Sequence, residues 1–111
     1  MNEKDIRQLH NLLHELTHLP QESEWIEFKV NNKDPQVIGE NISAMANSAA
    51  IADRLSAYII WGVEDGTHNI VGSNFHPSST KHNQQELESW LLQKLEPKID
   101  FKFYEFDYQG K

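Results

Sequence analysis

Three carboxylates of this chain, Glu22, Glu27 and Asp65, border apolar strand-like runs, and Lys29 stands two positions beyond Glu27. Ile26, Phe28 and Val30 alternate with Trp25, Glu27 and Lys29, so a strand here is apolar on one face and carries a charge pair on the other. Ala57 to Val63 forms a near-continuous apolar run that empties into Glu64 and Asp65. Carboxylates at the ends of neighbouring strands offer the hard oxygen ligands that Mg²⁺ or Mn²⁺ requires, usually completed by phosphate oxygens and water. Such a cluster, Glu22 with Glu27 and Asp65, can set a metal ion against a phosphodiester, with Lys29 on a neighbouring phosphate. The plainer alternative has Glu27 and Lys29 as a solvated pair and Asp65 serving its Asp-Gly turn. Spacing leaves both open.

A second constellation, His14-Glu15-Leu16-Thr17-His18, has the spacing of zinc proteases, in which two imidazoles one helical turn apart grip Zn²⁺ and the Glu activates water. Pro20 follows at once and ends the helix near His18, and His10 continues the same spacing as a polar face would. Incidental zinc capture by His10, His14 and His18 fits this pattern better than proteolysis. The chain has no Gly-rich phosphate loop ending in Gly-Lys-Ser/Thr, and no serine or cysteine nucleophile with ordered His and Asp partners.

The 111 residues suit one domain. A formal net charge of −7 opposes unaided, nonspecific attachment to nucleic acid, whose affinity comes from neutralising phosphates. The absence of cysteine excludes disulfides and thiolate metal sites. No run approaches a membrane span, and no charged-then-apolar leader is visible, so the expected address is cytoplasmic, with no membrane partner.

The elements that must hold these residues follow from periodicity. Residues 2–17 form an amphipathic helix with Ile6, Leu9, Leu13 and Leu16 in one stripe and Asn2 as its cap. A strand spans 25–30. Asp34-Pro35 opens a second helix that carries Ile38, Ile42, Met45, Ala46 and Ala49 on its packing side and fades near Asp53. Strand 57–63 turns through Asp65-Gly66-Thr67 into a short strand at 69–71, and 73–83 is loop. A third helix spans 84–95, stopped by Pro97. The last strand, 99–108, changes apolar phase between Phe103 and Tyr104, the signature of a bulge or a switch of partner. The order helix-strand-helix-strand-strand-helix-strand is that of an α+β domain with helices packed on a mixed sheet. The sequence stops at Tyr108-Gln109-Gly110-Lys111, a turn just after a strand, which suggests a domain truncated at its C-terminal hairpin. An unpaired final strand would also offer an edge for a homodimer.

Glu22-x4-Glu27-Phe28-Lys29, Ile42-Ser-Ala-Met-Ala-Asn47 and Ile60-Trp-Gly62-Val63-Glu64-Asp65, followed by Ile70-Val71-Gly72, together resemble the Schlafen-type AlbA-like domain (AlbA_2, formerly a divergent AAA segment). The resemblance implies an Alba-like α+β fold and a DNA-binding role in transcriptional-regulator-like proteins. In the animal Schlafen branch the same domain can act as a metal-dependent RNA endonuclease. The three acidic positions of that activity fall on Glu22, Glu27 and Asp65. Two departures stand out. Ser48 to Ser56 replaces a shorter loop that commonly carries a Gly-Gly pair, and the chain is acidic where an Alba-like binder shows a basic face. For nucleic-acid binding, the residues expected on the contact surface are Lys29, Lys33, Arg54 and Lys81. A third possibility is a protein-interaction module whose acidic surface never meets nucleic acid.

Overall fold

The computed structural model describes residues 2–18, 25–31, 33–54, 56–82, 85–95 and 99–111. Helix α1 spans Glu3–Thr17, and its first turn is capped by the Asn2 side chain, which accepts from the Asp5 amide at 2.9 Å. Strand β1 is Ile26–Lys29. Helix α2, Pro35–Ile51, opens as the Asp34-Pro35 pair dictates, with Asp34 accepting from the Gln36 amide at 3.0 Å. Strand β2 is Tyr58–Trp61. A 3₁₀ turn at Pro77–Ser79 precedes the two-residue strands β3, Lys81–His82, and β4, Gln85–Glu86, and then helix α3, Leu87–Lys94.

β1 and β2 pair in parallel, Ile26 opposite Tyr58 through Lys29 opposite Trp61, with α2 as the crossover between them. Because side chains alternate across a strand, this register sorts them onto two faces. Ile26, Phe28 and Ile60 join Leu13 and Leu16 of α1 and Val63 in one core. Ile59 and Trp61 pack against Ile38 and Ile42 of α2, Leu87, Trp90 and Leu91 of α3, and Phe75. The molecule is therefore an α+β sandwich, with the ladder between α1 on one side and α2 with α3 on the other. Glu27 and Lys29, in register with Ile59 and Trp61, belong to the second face.

The tight turn after β2 explains the glycine pattern. Gly62 has φ +104°, and its carbonyl accepts from both the Val71 and Gly72 amides, at 2.8 and 3.0 Å. A Cβ on Gly62 would lie 3.2 Å from the Gly72 carbonyl carbon, so two backbones meet where side chains do not fit. This approach leaves one antiparallel bridge, Val63 with Ile70, where the periodicity suggests a strand over 69–71.

Two further segments differ from their sequence reading. Lys81–His82 and Gln85–Glu86 form an antiparallel ladder with Lys81 opposite Glu86, and α3 begins only at Leu87. Glu86 is held extended by that ladder (ψ 139°), which denies the helix an earlier start. The 99–108 run makes no ladder among the described residues. It is fastened by single contacts instead: Glu105 accepts from the Ser78 amide at 2.8 Å, and the Asp107 carbonyl lies 2.7 Å from His10 Nε2. Ile99, Phe101 and Phe103 pack on the α2/α3 core, whereas Phe106 and Tyr108 pack on the α1 core. The phase change after Phe103 is thus a switch of partner, as the segment passes from one face of the ladder to the other.

Candidate nucleic-acid interface

Of the candidate residues, Lys29 and Lys33 lie at the C-terminal end of the parallel ladder and Arg54 at its N-terminal end. At the C-terminal end, Lys29 Nζ meets Glu27 Oε1 at 3.2 Å, the lysine side chain 20% and the carboxylate 40% exposed. The loop after β1 is pinned to the loop before Phe75. Ser73 donates its hydroxyl to the Val30 carbonyl, and the Asn31 side chain accepts from the Asn74 amide at 2.9 Å. Lys33 lies exposed just beyond this pinned loop.

Asp65 is exposed in the turn that closes with the His68 amide donating to the Glu64 carbonyl at 2.9 Å. His68, from the same turn, places its ring 4.6 Å from that of Phe28. Phe28 projects from the face opposite Glu27, so His68 packs on the α1 side of the ladder while Glu27 belongs to the α2/α3 side. Glu22 lies outside the described residues. Among the described residues, no three His, Asp or Glu side chains gather as a metal would require. Of the two acidic positions described, Glu27 turns one oxygen to the Lys29 ammonium and Asp65 stands exposed in its turn.

The histidines of α1 have structural occupations. His10 donates through Nε2 to the Asp107 carbonyl and packs its ring on Phe106 and Tyr108. His18 caps the helix, with Nδ1 2.7 Å from the His14 carbonyl oxygen and its ring 4.0 Å from that of His14. His10 is drawn to the C-terminal segment instead of to its two neighbours.

The N-terminal end of the ladder is built differently. α2 ends in a Schellman turn: the Arg54 amide donates to the Ala49 carbonyl at 2.8 Å and the Asp53 amide to the Ala50 carbonyl at 3.2 Å. Asp53 takes the left-handed position (φ 58°) that glycine usually fills, so the turn forms without the Gly-Gly pair. This turn delivers Arg54 to β1, where its guanidinium carbon sits 3.9 Å from the centre of the Trp25 ring. Trp25 in turn meets Tyr58 edge-on, ring centres 6.2 Å apart, and the Tyr58 amide donates to the Trp25 carbonyl at 2.9 Å. Arg54 and Tyr58 also line an apolar cavity of about 670 Å³ between β2, α1, α2 and the 99–107 segment.

Of the four expected contact residues, Lys29 is paired with Glu27 and Lys81 stands opposite Glu86. Lys33 and Arg54 lie at opposite ends of the ladder. Among the described residues no carboxylate is in ion-pair reach of Arg54. Sequence reasoning named Arg54 but not Trp25 or Tyr58. The available signal was that both aromatics stand at the starts of strands with matching apolar phase.

The family model described as Schlafen, AlbA_2 matches residues 22–111. The chain belongs to that family. The Schlafen, AlbA_2 region contains every described element except α1, so the helix covering one face of the ladder precedes the matched span. No curated protein and no solved structure gives a match. Among the described residues no helix is long and apolar enough to cross a membrane.

Proposed function

We propose that this Schlafen, AlbA_2 domain binds nucleic acid, that its ligand is DNA, and that it serves a cytoplasmic transcriptional-regulator-like protein. The observation that carries this reading is Arg54, a guanidinium held on an aromatic ring with no carboxylate beside it among the described residues, in a chain of net charge −7. Family membership supports the same class of partner. An acidic protein meets a polyanion where positive charge is locally uncompensated, and among the described residues Lys33 and Arg54 are the expected residues without an ion-pair partner. Binding should fall with salt in proportion to the few phosphates contacted, and replacing Arg54 by Ala should reduce the slope of log K against log salt by about one. Titration of labelled DNA, duplex and single-stranded, over a salt series measures this. Absence of binding at low salt, or binding indifferent to salt, removes the proposal.

A second reading, a metal-dependent ribonuclease using Glu22, Glu27 and Asp65, is favoured by the half-buried Glu27 carboxylate held beside Lys29 at 3.2 Å. RNA cleavage with Mn²⁺, compared between the parent and Asp65→Ala, decides it. Equal rates in both count against the three-carboxylate site.

A further inference from the structure

The N-terminal end of the ladder combines three properties that phosphate contact alone does not need. Arg54 presents a planar cation whose central carbon lies over the Trp25 ring, 3.9 Å from its centre. Arg54 itself is exposed, as a group that meets a ligand must be. The platform beneath it is held by secondary structure: Trp25 is fixed by the Tyr58 amide and the edge of the Tyr58 ring, and Arg54 by the turn that ends α2. A guanidinium stacked on an aromatic ring keeps its donor fork in plane for a phosphate while offering a flat outer face to another π system. A base within a duplex has both faces covered by its neighbours, whereas an unpaired base can be splayed out and stacked on aromatic or guanidinium planes. Net charge points the same way. With 17 Asp and Glu against 10 Lys and Arg, the chain is poorly suited to a broad phosphate footprint. Stacking adds affinity that does not depend on many released counterions.

We infer that Trp25, Arg54 and Tyr58 form a stacking site for an unpaired base of single-stranded nucleic acid. This rests on the nucleic-acid reading above and narrows it from a polyanion to a strand with exposed bases. A single-stranded DNA segment and an RNA loop offer the same chemistry, and the probes separate them.

The test titrates labelled oligothymidine, oligouridine and a blunt duplex with the intact 111-residue chain at low salt, read by fluorescence anisotropy. Single strands should bind more tightly than the duplex. Trp25→Leu and Arg54→Gln should each weaken single-strand binding about tenfold, as removal of one stacked base contact does. Arg54→Lys keeps the charge but not the plane, and should weaken it nearly as much. Tighter oligouridine binding assigns the ligand to RNA and tighter oligothymidine binding to DNA, and either supports the site. If Arg54→Lys binds single strands as the parent does, or if the duplex is preferred and insensitive to Trp25→Leu, stacking is overturned while the nucleic-acid reading stands. Failure of all three probes to bind removes both. Trp25 also packs on the α1 core, so the exposed Arg54 variants carry the decision if Trp25→Leu unfolds.

Discussion

At the C-terminal end of the β1–β2 ladder, backbone closes on backbone: Gly62 against Gly72, with the Val30 carbonyl taken by Ser73. At the N-terminal end, side chains do the closing, Trp25 against Tyr58 with Arg54 laid over them. Charge follows the same division. Lys29 is compensated by Glu27 at one end, and among the described residues Arg54 meets an aromatic ring and no carboxylate at the other. An end closed by main chain tolerates almost no substitution and has few groups to spare for a ligand. An end closed by side chains keeps a cation and π surface addressable from solvent, which is why the binding proposals concentrate there.

The sharpest way to break this contrast is Gly62→Ala. The new Cβ would sit 3.2 Å from main chain at φ +104°, and the expected loss is about 1–3 kcal/mol in urea unfolding. Unchanged stability would mean that the two backbones are not in such close approach. Asp53→Gly acts at the opposite end and with the opposite sign. Relieving a left-handed non-glycine residue should stabilise the protein by about 1 kcal/mol, seen as a higher melting temperature with α2 unchanged by circular dichroism. A fall in melting temperature would show that the Asp53 side chain itself holds the turn. Arg54→Ala removes the guanidinium from the Trp25 ring and should cost only about 0.5–1 kcal/mol in the same unfolding assay. A larger loss would make Arg54 a structural clamp and weaken its claim to bind anything. The smallest effect is expected for Glu27→Gln. The pair is partly solvated and screened, so stability should move by less than about 1 kcal/mol. The substitution takes the net charge from −7 to −6 and frees Lys29. A modest gain in low-salt affinity for nucleic acid, without a change in the effect of Trp25→Leu, would confirm that the two ends act separately.

The helices were legible to the extent that their signals are local. Asn2 and Asp34-Pro35 announce helix starts because a cap involves residues within three positions of one another. Helix α3 was misplaced at its start because nothing within the stretch 84–87 reveals that Glu86 is claimed by Lys81 across a short ladder. The change of phase after Phe103 correctly signalled a switch of partner, although the segment achieves it with isolated anchors such as His10 to Asp107 and not with a ladder. The three-carboxylate cluster was read from residues far apart in sequence. Of these, Glu27 is paired with Lys29, Asp65 is exposed in its turn, and Glu22 lies outside the described residues.

By itself the sequence determined the α+β order, the two capped helices, the apolar alternation of β1 and the glycines at the turn after β2. These depend on torsion preferences and on neighbours a few residues away, which any stretch of chain carries with it. Only the tertiary structure decided that Arg54 would rest on Trp25 and that Lys29 and Lys33 would stand at the other end of the ladder. Those neighbours are set by the parallel register of two strands joined through a whole helix, and a one-residue slip in that register would put every side chain of a strand on the other face.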